Sequence, residues 1–224
     1  MSIADNIALV KSRIEKAARR AGRDPAEIKL VAVTKNVTAD LIAEAVKAGI
    51  TDIGENRVQE AEKKFDLIKA LPVTWHMIGH LQTNKVKAAL GMFSVIQSVD
   101  SDRLADEISK KTTGVTDVFV EVNTSGETAK YGIEPDKAME LARYIAGLKN
   151  LKLAGLMTVG PATNIEQEVR KSFRSLADLF GQIKRLNLPG VELKYVSMGM
   201  SDDFEIAIEE GSNLIRIGRA IFRQ

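Results

Sequence analysis

The 224-residue chain is 45% hydrophobic and nearly charge-balanced, with 32 basic and 30 acidic residues for a formal net charge of +2. This length suits one sizeable core, and the balance argues against nucleic acid or an anionic membrane as the main partner. The absence of cysteine excludes a disulfide framework and a thiolate metal site.

The start, MSIADNIALV, lacks the basic and apolar regions of a signal peptide. No apolar run is long enough to span a bilayer, so a soluble cytoplasmic protein is expected. Residues 2–21 predict an amphipathic helix, with Ile3, Ile7, Val10, Ile14, Ala17 and Ala21 at helical spacing. Lys11, Arg13, Lys16, Arg19 and Arg20 lie mainly elsewhere on the wheel and read as a solvated helix surface rather than a nucleic-acid face. Gly22 is placed to stop the helix, and Asp24-Pro25 to restart the chain as N-cap and N1.

Eight short runs with strand character follow. They are LVAVTK (30–35), TDIGEN (51–56), TWHMIG (74–79), FSVIQSV (93–99), DVFVEVN (117–123), LKLAGLMTVG (151–160), ELKYVSMG (192–199) and NLIRIG (213–218). Between them lie segments of helical periodicity, such as Val58/Ala61/Phe65/Ile68 and Phe173/Leu176/Phe180/Ile183. Strands alternating with helices imply parallel pairing. Eight such units predict one (β/α)8 TIM-type barrel over 1–224, preceded by an extra N-terminal helix. A doubly wound open sheet is the competing fold. No linker divides the chain, which leaves no length for a second domain.

The active face of such barrels lies at the C-terminal strand ends. There the chain places Lys35, Glu55-Asn56, Gly79-His80, Asn123, Met157-Thr158, the segment 197–201 and the segment 216–219. Alternation puts Val31, Val33 and Lys35 on one strand face. If that face points inward, the Lys35 amine projects into the barrel mouth, poorly solvated and suited to attack an aldehyde. From this position alone, a lysine ion-paired at a strand end is the better reading. In the eighth run Leu214, Arg216 and Gly218 face inward, because Ile215 and Ile217 suit the helix side. A buried arginine needs a partner, either a carboxylate (Glu55 or Glu121) or a bound ligand. SMGMS (197–201) and Gly218-Arg219 leave strands seven and eight as glycine-containing turns, the usual phosphate position in these barrels.

Other constellations carry less. His76 and His80 have i,i+4 spacing, but on a strand and loop, without the glutamate or third ligand of a zinc site. No triad accompanies Ser197 or Ser201, so no catalytic or metal-binding residue is assigned. Asp202-Asp203 and Glu209-Glu210 read as helix N-terminal charge and solvated surface.

AVTK (32–35), IGENRVQE (53–60), WHMIGHLQTNK (75–85), NTSGETAKYGI (123–133), GLMTVGP (155–161) and SMGMSDDFEIAIEEGSNLIRIGRAIF (197–222) together resemble the pyridoxal phosphate homeostasis protein family. The resemblance covers essentially the whole chain. The family usually has Phe where Met77 stands and Gly where Arg223 stands. The resemblance implies a barrel like the N-terminal domain of alanine racemase, holding pyridoxal 5′-phosphate as a Schiff base on Lys35. It implies that Arg216 faces the ring nitrogen. It further implies that Ser201, Gly218 and Arg219 hold the phosphate with Ser197 and Gly199 nearby, and that Asn56, Met157 and His80 line the ring or its rim.

The implied role is cofactor homeostasis, also affecting amino- and keto-acid balance, without established catalysis. Racemisation needs a second acid/base opposite the lysine, which in racemases comes from a second domain, and Tyr131, Tyr144 and Tyr195 are poor substitutes. Arg216 offers the ring only donors, which weakens it as an electron sink. A low-activity amino-acid racemase is the alternative, and a phosphosugar enzyme a third reading. Expected partners are pyridoxal phosphate and pyridoxal phosphate-dependent apo-enzymes, and a monomer is expected.

Overall fold

Ile3, Ile7, Val10 and Ile14 recur every third or fourth residue and form the buried face of α1 (Ile3–Arg20) in the computed structural model, which describes residues 2–223. Ser2 and Asp5 cap its start reciprocally, the Ser2 hydroxyl accepting from the Asp5 amide at 3.1 Å and the Asp5 carboxylate from the Ser2 amide at 2.9 Å. Burying each large aliphatic side chain contributes ~1.5–3 kcal/mol, more than helix propensity supplies, so packing holds α1 in place. Gly22 ends the helix at φ +67, and Asp24 caps a single 3-10 turn, Pro25–Glu27.

Eight parallel strands then close in chain order into a barrel: β1 (Lys29–Val33), β2 (Asp52–Glu55), β3 (Thr74–Met77), β4 (Val95–Val99), β5 (Thr116–Glu121), β6 (Leu151–Met157), β7 (Val191–Ser197) and β8 (Leu214–Ile217). β8 pairs back onto β1, with Lys29 opposite Leu214 and Ala32 opposite Ile217. The expected α/β barrel with an extra N-terminal helix is therefore the observed one. The helices are α2 (Ala39–Lys47), α3 (Val58–Ile68), α4 (Val86–Leu90), α5 (Asp102–Lys111), α6 (Ala138–Ala146), α7 (Glu166–Arg185), α8 (Phe204–Glu209) and α9 (Arg219–Phe222).

Alternation along the strands sorts the core into two layers. Ala32, Ile53, Trp75, Ile96, Val118, Leu156, Val196, Ile215 and Ile217 face outward and pack with the helices. Val31, Val95, Phe119, Ala154, Met157 and Leu214 form a smaller cluster inside the barrel. Buried polar side chains share the interior, among them Asp52, His76, Gln97, Ser197 and Arg216.

Of the basic residues of α1, Lys11, Lys16, Arg19 and Arg20 are exposed, as a solvated surface requires, and Arg13 is half-buried. Arg13 pairs with Glu205 at 3.2 Å and covers the Phe204 ring at 4.6 Å, and Arg20 pairs with Glu209 at 2.9 Å. Glu209 also meets Arg170 at 2.6 Å, and Glu210 meets Arg170 and Arg174 at 3.0 Å each. Glu209-Glu210, expected as solvated surface, instead ties α8 to α1 and α7. The reason is the closure of the barrel, which brings three distant helices side by side. No helix among the described residues is long and apolar enough to cross a membrane.

Candidate cofactor site at the barrel mouth

β1 ends at Val33, two residues before Lys35. Thr34 turns its hydroxyl to Glu55, donating to Oε1 at 2.6 Å, and Lys64 bridges the Thr34 carbonyl (2.7 Å) and the same Glu55 oxygen (2.6 Å). Lys35 then stands in a turn, followed by Asn36 in the left-handed region at φ +58. Its side chain is exposed rather than desolvated. Strand alternation stops before residue 35, because extended backbone gives way to the turn, so the expected poor solvation of this amine does not hold. Glu55 faces the helix layer and belongs to Lys64, so it is not the partner of Arg216.

Arg216 lies inside the barrel with 3% exposure. Its Nη1 donates to Ser197 Oγ at 2.6 Å and its Nη2 to the Thr158 carbonyl at 2.8 Å. No carboxylate among the described residues lies within 4.0 Å of it. Burial pulls its pKa down to about 10, with the Glu121 and Asp203 carboxyls acting the other way, so the guanidinium is charged at neutral pH. Glu121 stands at the inward end of β5. Burial, reinforced by Asp100, pushes its carboxyl up to about 7 against the pull of Arg216. Its Oε2 and the Asn56 Oδ1 are buried polar atoms without a hydrogen-bond partner.

The two glycine turns lie beside each other. Gly199, at φ +96, leaves β7, and its carbonyl accepts from the Arg216 amide at 3.0 Å. Ser201 Oγ accepts from the Ala220 amide at 3.3 Å, so the SMGMS turn touches the start of α9. A side chain at Gly218 would come within 3.2 Å of the Val33 carbonyl, which sets the end of β8 against the end of β1, two residues from Lys35. Arg219 is exposed and pairs with Asp202. Asp203 is not free helix-terminal charge: it accepts from the Met200 amide at 2.5 Å, and burial raises its pKa. Ser197 is fully buried beneath Arg216, bonded to that side chain and to Gln97 (2.6 Å) rather than placed in the turn. Met157 is fully buried among the inward apolar residues.

On the opposite side of the mouth, a cleft of about 750 Å³ is lined by Asn56, Gly79, His80, Glu121, Tyr131 and Val159, among others. His80 lies flat on Tyr131, ring centroids 4.1 Å apart and planes at 10°, and its Nδ1 is 3.5 Å from Asp100. Asn123 braces the loop carrying Tyr131, donating to the Glu127 carbonyl at 2.9 Å. The sequence reading offers Glu121 only as a carboxylate partner of Arg216, and Tyr131 only as a poor substitute for a racemase tyrosine. Alternation from Phe119 marks Glu121 as inward, whereas nothing local predicts the stacking of Tyr131. Among the described residues no three His, Asp or Glu side chains cluster as metal ligands.

Residues 6–224 match the family model described as the alanine racemase N-terminal domain. The chain is 44% identical to the pyridoxal phosphate homeostasis protein of Aquifex aeolicus, over 99% of this chain and 98% of that one. It is 41% identical to the protein of that name from Pseudomonas aeruginosa, over 99% and 95%. Among solved structures it is similar to PipY of Synechococcus elongatus PCC7942 with PLP bound, at TM-score 0.85 and 30% identity over 99% of this chain and all of that one. With this fold and this extent of identity, the chain belongs to the pyridoxal phosphate homeostasis protein family, built on the alanine racemase N-terminal domain.

Proposed function

We propose that this chain binds pyridoxal 5′-phosphate at the C-terminal mouth of its barrel and serves intracellular homeostasis of that cofactor. The observation that carries the reading is Arg216, a charged guanidinium buried inside a barrel and held by two neutral acceptors. Guanidinium has five N–H donors, and donors left over inside a low-dielectric core call for an acceptor. A pyridine nitrogen is such an acceptor. The unpartnered Asn56 Oδ1 and Glu121 Oε2 and the paired glycine turns fit a polar, phosphate-bearing ligand.

The cofactor supplies an aldehyde that an amine can capture. Lys35 is the amine this reading assigns. Ser201, Gly218 and Arg219 would hold the phosphate, with Gly199 shaping the turn. Asn56, His80 and Met157 would line the ring or its rim, and Ser197 would steady Arg216. An exposed Lys35 amine suits reversible loading, so transfer to cofactor-dependent apo-enzymes is part of the proposal, as are a monomeric state and a cytoplasmic setting.

The role is cofactor handling rather than catalysis. The relatives are named as homeostasis proteins. Arg216 can only donate to the ring nitrogen, which leaves that nitrogen unprotonated and the ring a poor electron sink. Tyr144 bonds Asp106 at 2.7 Å on the outer helices, and Tyr195 stacks on Phe119 inside the barrel. Tyr131, 60% exposed but lining the same cleft as Glu121, is what favours the second reading, a low-activity racemase.

The test is to load the protein with pyridoxal phosphate, record the visible spectrum, reduce with borohydride and locate the labelled peptide. Label on Lys35 is expected; a colourless protein or label elsewhere overturns the assignment. Chiral analysis of amino acids incubated with the loaded protein decides between homeostasis and racemisation.

A further inference from the structure

Arg216 is the upper end of a hydrogen-bonded chain that runs down the barrel interior. Arg216 Nη1 donates to Ser197 Oγ at 2.6 Å, and Ser197 Oγ donates to Gln97 Oε1 at 2.6 Å. The Gln97 amide nitrogen meets His76 Nδ1 at 2.9 Å, and His76 Nε2 meets Asp52 Oδ1 at 2.9 Å. Asp52 also accepts from Lys29 (2.9 Å) and Thr51 (2.8 Å) beside a cavity that includes Tyr195. Side chains from β8, β7, β4, β3 and β2 thus join the mouth to the lower part of the barrel.

Arg216 and the recorded orientation of the Gln97 amide together set the direction of each bond. A guanidinium has donors only, so Ser197 must accept from it and spend its single proton on Gln97 Oε1. That turns the Gln97 NH₂ toward His76, whose Nδ1 must then be the acceptor. The His76 proton is left on Nε2, facing Asp52. Asp52 can only accept when ionised. Burial alone would raise its pKa, but the bonds from His76, Lys29 and Thr51 outweigh burial and hold it at about 2. A donor-only end and an acceptor-only end are thus joined through one hydroxyl, one amide and one imidazole.

We propose that Gln97 and His76 are positioning residues for Arg216: through Ser197 they fix the lone pair that holds the guanidinium toward the mouth. This rests on the reading that Arg216 faces the cofactor ring. The groups that bear on His76 are the Asp52 carboxylate, Lys29 behind it, neutral Gln97, and Arg216 two bonds further on. If Gln97 is lost, the Ser197 hydroxyl is freed to rotate, and the guanidinium loses a fixed acceptor. A glutamate at 97 would still accept from Ser197 and would accept from a doubly protonated His76, so the bond to Arg216 would be kept with the lower part of the chain recharged.

Two measurements test this. In the pyridoxal phosphate-loaded protein, Gln97→Leu is expected to move the pH midpoint of the visible band by about one unit, about tenfold in the ionisation constant. Gln97→Glu is expected to restore it. A Gln97→Leu midpoint equal to the wild type, or equal shifts in both variants, overturns the proposal, because loss of packing alone would treat them alike. The second measurement needs no cofactor. With only two histidines in the chain, nitrogen NMR of the cofactor-free protein resolves His76. Its proton is expected on Nε2, with a bare Nδ1 accepting from the Gln97 amide, and Nδ1 is expected to carry a proton in Gln97→Glu. A proton on Nδ1 in the wild type, or an unchanged His76 in the glutamate variant, overturns the relay. A wild type that never develops a visible band instead overturns the cofactor reading, and the nitrogen spectrum still decides the relay.

Discussion

Lys64 reaches from α3 to the carbonyl of Thr34 at 2.7 Å, one residue before Lys35. The same ammonium neutralises Glu55, whose side chain is fully buried, at 2.6 Å. The turn that carries Lys35 is thus anchored from beneath by an ion pair. Lys64→Met leaves the Glu55 carboxylate buried and unpaired, and a loss of about 3–5 kcal/mol in urea unfolding is expected. Adding Glu55→Met should recover most of that loss, because replacing both charges by apolar groups removes the desolvation cost along with the pair.

Lys35 itself makes little contribution to the fold. It is exposed and beyond the strand, so Lys35→Met should change unfolding free energy by no more than about 0.5 kcal/mol. The same variant should lose the visible band on addition of pyridoxal phosphate. Thermal melts and absorption spectra on one preparation check both halves.

Glu121 gives the cofactor-free protein a pH dependence of definite sign. Its folded pKa of about 7 lies above the ordinary 4.5, so the folded state holds the proton more tightly than the unfolded state. The stability this contributes is fully present below pH 4.5 and is lost as pH rises through about 7. Glu121→Gln should therefore flatten the fall in melting temperature between those values and be the more stable protein above them. A variant that parallels the wild type at every pH would contradict this.

Gly199 admits no side chain. At φ +96 an added Cβ would sit 2.6 Å from the Ala207 Cβ and 2.9 Å from the Phe204 Cα. Gly199→Ala should cost roughly 2–4 kcal/mol, combining left-handed strain with overpacking against α8. Because the Gly199 carbonyl receives the Arg216 amide, cofactor affinity should fall in the same variant. Chemical denaturation and a binding titration measure the two effects.

The barrel was legible because its signal is periodic and local. Arg216 was read as inward from the single strand LIRI, since Ile215 and Ile217 could only suit the helix layer, and both are fully buried there. Only the solvation of Lys35 was misjudged by the same reasoning, because alternation says nothing about where extended backbone stops. The polar chain below Arg216 was out of reach for another reason. Ser197 and Gln97 are 100 residues apart, and which polar side chains meet across a barrel interior depends on how every strand registers with the next. Glu209-Glu210 shows the same limit on the surface. Its partners Arg20, Arg170 and Arg174 lie on two other helices, and no local pattern links them.

The first helix has a consequence for how the protein is made. The apolar face of α1 packs against α8 and α9, and Asn6 donates to the carbonyl of Ile221 at 2.9 Å. β1, too, is completed by β8. α1 and β1 are therefore synthesised well before the elements that cover them. Until α8 and α9 emerge, Ile3, Ile7, Val10 and Ile14 lack most of their native cover. A nascent chain stalled before β8 should present this greasy leading segment to chaperones, and release should coincide with emergence of the final strand.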